Sequence, residues 1–439
     1  MRAGAGSDIP RRGEGDAGRA GESSLLPPMV SVVVAHFEQQ PQLDRTLLAL
    51  ERQDYPSDRL EVIVVDDGSR RPPRVASGVR VLVQEDLGFR LAAARNAGAA
   101  VARGTVLCFL DADTTPEPGY VRELTRGPAL VPDTVAVGSR RHADLSKVSA
   151  DEPVEIAGPA LELPAPAWLT RAYEHSRDLR DSDHRSYRYL IGAVLACSAR
   201  FFDEVRGFDE SFTDYGGEDW EWGYRAWLAG AVFEHVPSAV AWHDGPDWSG
   251  RSVADALVAK NREALRLTTA IPAVGSRGRG VRPDAVDVIV EVRSASSAAA
   301  LFVCVDGILE GMPHATVIVQ AQFAAVFVGD ARIVVASAAV DRRLVRATVT
   351  LSRAARVDPA GFARAVEVVA TGAGAGADLV VLEGSGEVLA SIRSTRAARR
   401  RARWGDGVVG TREIPGIRVD WIEAIDTEPD LEGYLGGWA

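Results

Sequence analysis

Three nearly unbroken apolar runs constrain this chain more than any other feature: VSVVVAHF (30–37), LEVIVVDDGS (60–69) and TVLCFLDAD (105–113). Each is too short to cross a membrane, which takes roughly 20 apolar residues. Each also lacks the polar alternation of a strand with one wet face, so all three read as strands buried on both sides. The segments between them, PQLDRTLLALERQ (41–53) and RLAAARNAGAAVARG (90–104), have helical spacing, and a shorter strand is expected at VRVLVQ (79–84). Strands that alternate with helices in this way predict an α/β fold, a mostly parallel sheet with helices on both faces. Sheets of this kind bind ligands beyond the carboxyl ends of their strands. The sequence puts polar chemistry there: His36 after the first run, Asp66 and Asp67 after the second, Asp111 and Asp113 after the third.

The 439 residues leave room for more than one domain, and a net charge of −11 argues against nucleic-acid binding. Residues 1–28 read as a disordered tail without the apolar segment of a signal peptide. Residues 29–270 form the first domain. Residues 271–283, IPAVGSRGRGVRP, have linker composition, and residues 284–404 form a smaller α/β domain followed by a tail over 405–439. The second domain repeats the opening pattern: VDVIVEV, a helical run and ATVIVQ follow the order of the first two strands. On this alignment GADLVVLEGS (376–385) parallels GTVLCFLDAD, so that Asp111 and Asp113 correspond to Glu383 and Ser385, in a degenerate copy that has lost its paired acids. The polar, proline-bearing residues 139–188 read as a long lid or binding loop. The three cysteines, Cys108, Cys197 and Cys304, are far apart and fit free buried thiols in a reducing, cytoplasmic compartment. The glycine-rich TGAGAGAD (371–378) lies after a helix and before a strand, the wrong order for phosphate binding. The basic run from Arg393 to Arg403 reads as a solvated helix, with a dimer contact or a peripheral contact at the inner face of the membrane as the competing reading.

Residues two apart on an extended chain project to one side, so Asp111 and Asp113 present two hard carboxylates suited to Mg²⁺ or Mn²⁺. A carboxylate in DDGS at a strand end can accept hydrogen bonds from a ribose or a base. Arg95, in an alanine-rich helix, could hold these acids or touch a nucleotide. TDYGGEDWEWGYR (213–225) sets two glycines before two adjacent acids and then aromatic residues. Alone it reads as a helix start with favourable charge at its N-terminus.

Together, VSVVVAHFEQ, VIVVDDGS, LGFRLAAARNAG and FLDADTTPEPGY resemble the family 2 glycosyltransferases of the GT-A fold. GFDESFTDYGGEDWEWGYRAWLAG and AVAWHDGP resemble the acceptor and metal-ligand segments of galactosyltransferases and chondroitin-polymerase-type enzymes. The resemblance spans roughly residues 29–250. It implies an inverting glycosyltransferase that moves a sugar from a nucleotide-sugar, a UDP-sugar, to a hydroxyl of a glycan, lipid-linked or small-molecule acceptor, with Mn²⁺ or Mg²⁺ as cofactor. Asp113 and His243 match the metal ligands. His36, Asp66, Asp67, Arg95 and Asp111 match the nucleotide contacts. Asp219 matches the catalytic base, with Glu218, Gly217, Trp220 and Trp222 on the acceptor, although core packing competes for at least one tryptophan. In YLIGAVLACSARFF (189–202) only Gly192 stands where related enzymes carry a glycine-rich donor-sugar segment, so the donor sugar is left open. Two rivals compete. A pyrophosphorylase would need a basic phosphate loop that AHFEQQPQ does not offer. A catalytically inactive carbohydrate-binding or scaffold protein would not need the acids.

Overall fold

The computed structural model describes residues 27–246, 253–281, 283–371, 379–382, 386–405 and 421–436. The described residues divide into two compact units, the first holding 27–227 and 231–266 and the second 228–230 and everything from Leu267 onward. The N-terminal tail through residue 26, Glu383, Ser385, residues 372–378 and residues 406–420 lie outside the described residues.

In the first unit, β1 (Val30–His36), α1 (Gln40–Glu51), β2 (Leu60–Asp66), β3 (Arg80–Val83), α2 (Leu91–Val101) and β4 (Val106–Asp111) form the expected alternation. β5 (Thr114–Pro116), α3 (Tyr120–Leu130), β6 (Thr134–Ala143), α4 (Val154–Ala160), β7 (Glu162–Leu163) and α5 (Ala167–His175) follow. β8 (Val194–Ser198), α6 (Ala199–Val205), α7 (Glu218–Leu228), β9 (Val232–Asp244) and α8 (Val253–Ala270) complete it. The strands run β3-β2-β1-β4-β8-β6-β9-β5, with β7 beside β6. β3, β2, β1 and β4 are parallel, and β8 enters antiparallel between β4 and β6. All seven residues of β1 are buried, as an unalternated strand with neighbours on both edges requires. The chain leaves β1 in opposite directions to reach β2 and β4, so a crevice opens at the carboxyl ends of β1 and β4. In register, His36 lies beside Asp66 and Ala35 beside Asp111.

α2 owes its seat to composition. Its alanines favour helix. A Cβ on Gly98 would come within 2.3 Å of a Val33 methyl, so only glycine lets the helix lie this close to β1. That approach carries Arg95, one turn earlier, to the crevice.

Residues 139–188 are more ordered than an irregular loop. They hold the end of β6, then α4 and α5, whose capping positions are Pro153 and Pro166. Such short helices leave too few turns for periodicity to reveal. Next, Arg177, Asp178 and Leu179 take left-handed φ values of 51°, 56° and 63° in succession, each costing roughly 1–2 kcal/mol. Asp178 N–H to Tyr173 O (2.8 Å) and Asp181 N–H to Ser176 O (2.9 Å) hold the turn.

The second unit contains β10 (Val288–Val292), α9 (Ala298–Gly311), β11 (Thr316–Val319), β12 (Ile333–Val335), β13 (Ala347–Leu351), β14 (Ala355–Val357), α10 (Pro359–Thr371) and β15 (Leu379–Leu382). β16 (Val388–Ser394), α11 (Thr395–Trp404), β17 (Ile422–Ala424) and α12 (Leu431–Tyr434) follow. Its main sheet runs β12-β11-β10-β13-β16-β15, the order and pairing directions of β3-β2-β1-β4-β8-β6. Local detail repeats as well. Ser198 caps α6 and Ser394 caps α11 through the hydroxyl, and the two serines face Val106 and Ala347 at the start of β4 and β13. β14 pairs antiparallel with β17 as β5 does with β9.

This topology corrects the sequence alignment of the two halves. β15 is antiparallel to its neighbour, whereas β4 is parallel to β1, so the counterpart of β4 is β13 and not GADLVVLEGS. Asp111 and Asp113 therefore correspond to Ser352 and Ala354. Thr114 faces His243 across β5 and β9, and Ala355 faces Ala424 across β14 and β17, so His243 corresponds to Ala424. Among the described residues no helix stands between β12 and β13, and the second unit has no counterpart of Arg95. The basic run is not uniformly solvated either: Arg396 and Arg400 of α11 are buried.

Candidate active site

At the carboxyl end of β1, His36 Nδ1 and Asp66 Oδ1 are 2.7 Å apart, and His36 Nε2 is buried with no hydrogen-bond partner. Ser69 ties down both oxygens of Asp66, through its N–H at 3.0 Å and its hydroxyl at 2.5 Å. Asp67 accepts from Gln84 Nε2 and from Arg90 N–H at 2.8 Å, which locks the loop that leads into α2. Both aspartates are buried. They shape the floor of the crevice, and of these three side chains His36 keeps one nitrogen uncommitted.

Asp113 lies one turn beyond β4. Because β5 folds back onto β9, its neighbour Thr114 faces His243, and His243 Nε2 comes to 3.7 Å from Asp113 Oδ2. His243 Nδ1 is 3.1 Å from Gly245 O. A carbonyl only accepts, so Nδ1 carries a proton and Nε2 is the nitrogen turned to the carboxylate, the orientation a metal-binding imidazole needs. Gln39 Nε2, at the start of α1, donates to Asp113 Oδ2 at 3.1 Å. Burial raises the Asp113 pKa, and the neighbouring Asp111 adds to the rise. A half-buried carboxylate that is costly to ionise beside an oriented imidazole suits a divalent cation. Among the described residues no group of three His, Cys, Asp or Glu side chains forms a cation site, so an ion on this pair would draw its other ligands from substrate and water. An imidazole ligand favours Mn²⁺ over Mg²⁺.

Arg95 ties the strand ends to α7. Its guanidinium is buried and donates at 2.9 Å to Asp111 Oδ1 and at 2.9 Å to Glu218 Oε1. Gly192 makes room for it, since a Cβ there would lie 2.5 Å from Nη1. Gly192 N–H also donates to Asp219 Oδ2 at 3.1 Å, while Trp220 N–H donates to Oδ1 at 2.8 Å. One glycine thus serves Arg95 with its missing side chain and Asp219 with its amide.

The adjacent acids face different surroundings. Glu218 is buried, spends one oxygen on Arg95 and leaves Oε2 without a partner. Burial first, then Asp219, push its pKa up to about 7. Asp219 is half-buried, and burial raises its pKa too, against the amide of Gly192 and the charge of Arg95. Gly216 and Gly217 both have φ of +93°, which lets the chain turn sharply into α7. Glu263 of α8 sits 3.1 Å from where a Gly216 Cβ would stand. Trp222 is a correction to the expected sugar platform: it is fully buried between Phe202 and Phe208, at ring distances of 5.8 and 5.5 Å. It belongs to the core, as does Tyr224. Trp220 remains half-buried. All three cysteines are free and buried, and burial pushes their thiols up, Cys108 and Cys304 to about 12, away from nucleophilic chemistry.

Sequence reasoning missed Gln39, Glu263 and Asp244. Asp244 accepts from Leu145 N–H at 2.9 Å and lies 3.4 Å from Arg45, which anchors the strand end that carries His243. The signal for Asp244 was its place beside His243 in AWHDG. Gln39 and Glu263 had none.

Comparison with known proteins agrees with this geometry. Residues 31–182 match the profile of glycosyl transferase family 2, and residues 180–242 match that of the N-terminal domain of galactosyltransferase. The chain is 33% identical over 222 residues to a validoxylamine A glucosyltransferase of Streptomyces hygroscopicus subsp. limoneus, covering 45% of this chain and 48% of that one. It is 27% identical over 266 residues to a chondroitin synthase of Escherichia coli, covering 55% and 38%. It is 29% identical over 246 residues to a hyaluronan synthase of Pasteurella multocida, covering 49% and 24%. The chain thus spans half or less of the length of these relatives. Over residues 31–242 the chain thus matches the glycosyl transferase family 2 and galactosyltransferase profiles, one after the other.

Proposed function

We propose that the first unit is an inverting, metal-dependent glycosyltransferase that moves a sugar from a UDP-sugar to an acceptor hydroxyl. The observation that carries this reading is the pair of Asp113 and His243, with the imidazole proton fixed on Nδ1 by Gly245 and Nε2 turned to the carboxylate. The two side chains would hold Mn²⁺ or Mg²⁺. When bound, the ion neutralises charge that builds on the departing diphosphate.

The chain's own residues supply the rest. The crevice at the ends of β1 and β4 receives the nucleoside, where His36 Nε2 offers the free polar atom and Asp66 and Asp67 fix the walls. Asp219 takes the acceptor proton. Its half-buried carboxylate, held by the amides of Gly192 and Trp220, has a pKa raised toward neutrality, which suits a general base. One base acting on one hydroxyl gives a single displacement and inversion at the anomeric carbon. Glu218 acts through Arg95, holding Asp111 at the donor crevice in register with α7. Homology to enzymes named for glucosyl, chondroitin and hyaluronan chemistry supports a sugar donor and a hydroxyl acceptor.

The test is UDP release from a panel of UDP-sugars with Mn²⁺, in wild type and Asp219→Asn. Loss of a general base lowers turnover by about 10²–10⁴-fold, with UDP binding retained. Full transfer by Asp219→Asn refutes the base assignment. Absence of both metal-dependent UDP binding and turnover with every donor refutes the transferase reading.

A further inference from the structure

Beside the candidate base, a cleft of about 490 Å³ opens between β6, α5, the left-handed turn at Asp178 and β9. That volume falls within the range of small-molecule sites, about 300–1,000 Å³. Ile191 lines it, and the next residue, Gly192, donates to Asp219. Arg140 and Arg141, which also line it, lie in register with Ala241 and Trp242, the two residues before His243. The cleft therefore adjoins the segment that holds the base and the strand that carries His243.

Its inner wall is built. Tyr173 and His235 stack face to face, 3.6 Å between ring centroids and 6° between planes. Tyr173 OH donates to Tyr189 O at 2.7 Å. His235 Nδ1 lies 2.8 Å from Asp178 Oδ1, and its backbone N–H donates to Asp178 O at 3.1 Å. Asp178 is the middle of three left-handed residues, a conformation that persists only when the surroundings enforce it and that clusters at functional sites. The Asp178 contact fixes the proton on Nδ1 of a neutral ring, and burial holds the His235 pKa below its ordinary value. Nε2 is then a hydrogen-bond acceptor on a ring that lines the cleft.

Charges around the cleft are mostly committed. Arg141 is paired with Glu162 at 2.9 and 2.5 Å, and Arg177 with Asp181 at 2.5 Å through both nitrogens. Asp178 spends one oxygen, Oδ1, on His235. The remaining charges, Arg140 and Glu174, are of opposite sign, so the three arginines of the lining are matched by three carboxylates, beside small apolar patches such as Leu169 and Pro166; a lining of balanced charge suits a neutral ring rich in hydroxyls.

We infer that this cleft is the acceptor subsite and that it takes a neutral polyhydroxylated ring, a sugar or a cyclitol, with Asp178 and His235 reading its hydroxyls. The inference rests on the transferase reading above. It is tested on the full chain saturated with UDP and Mn²⁺, by saturation-transfer difference NMR and titration with glucose, N-acetylglucosamine and myo-inositol against glucuronic acid and glucose 6-phosphate. At least one neutral compound is expected to bind. Thr170→Trp, at an exposed position on the cleft wall, fills the space without burying anything new and is expected to weaken that binding at least tenfold. His235→Phe keeps the stack with Tyr173, deletes both ring nitrogens, and is expected to do the same. Binding of the charged compounds alone, no neutral binding, or neutral affinity within twofold of wild type in Thr170→Trp overturns the assignment while leaving metal-dependent UDP binding intact. Failure of wild type to bind UDP with Mn²⁺ overturns the transferase reading itself.

Discussion

Replacing Gly192 with alanine tests whether the buried Arg95 network holds the site together. The new Cβ would stand 2.5 Å from Nη1, 2.9 Å from Cζ and 3.1 Å from Nη2 of Arg95. Carbon contacts are comfortable near 3.5–4.0 Å, so the guanidinium must retreat by about 1 Å. Its hydrogen bonds to Asp111 and Glu218, each 2.9 Å, then stretch toward 3.9 Å and lapse. Hydrogen bonds to charged groups contribute about 1.5–3 kcal/mol each, so losing both costs about 3–6 kcal/mol, and sliding to keep one brings the loss to about 1.5–3 kcal/mol. For a domain of this size 1 kcal/mol shifts Tm by about 2–4 °C, so the loss of one bond predicts a fall of about 3–12 °C. Calorimetry on Gly192→Ala, Arg95→Met and the double variant measures it. Because the clash is with the guanidinium, Gly192→Ala should cost less than about 0.5 kcal/mol once Arg95 is methionine. A Tm within 2 °C of wild type, or additive losses in the double variant, refutes the reasoning.

Glu218 makes stability depend on pH in a defined window. Its folded pKa, about 7, is above the ordinary carboxylate value of 4.5, so the folded state binds the extra proton. The stabilisation this provides is complete below 4.5 and is lost as pH rises to about 7. Chemical denaturation of wild type and Glu218→Gln across that range should show wild type losing stability relative to the variant as pH rises; a constant difference refutes the raised pKa. For the metal pair, His243→Ala or Asp113→Asn should weaken Mn²⁺-dependent UDP binding at least tenfold, while metal-free UDP binding stays unchanged in a titration. Equal losses with and without metal would assign the two residues to the nucleoside instead.

The strands of the first sheet were legible because VSVVVAHF, LEVIVVDD and TVLCFLD are apolar on both faces, a pattern that only central strands carry. The acids at their ends followed from position. What they touch was not legible. Arg95 and Glu218 are 123 residues apart in sequence, and no local rule joins them. Trp220 and Trp222 show the same limit, since within one turn of a helix they face roughly opposite sides and only packing against Phe202 and Phe208 shows which of the two goes inward. Short apolar runs misled the alignment of the halves: GADLVVL and GTVLCFL are alike in composition, and only the direction of the neighbouring strand separates them. The role of Gly192 came from the guanidinium that fills its missing side chain, a fact about Arg95 more than about glycine.

The second unit has a consequence for how the acids of the first are valued. The same strand order, the same antiparallel insertion and the same serine caps stand there with Ser352, Ala354 and Ala424 where the first unit has Asp111, Asp113 and His243. This chain carries its own control experiment. The architecture closes without carboxylates at its strand ends, so folding does not select for them. In the first unit the half-buried Asp113 is an electrostatic burden that the twin sheet does without, which supports the chemical role proposed for it.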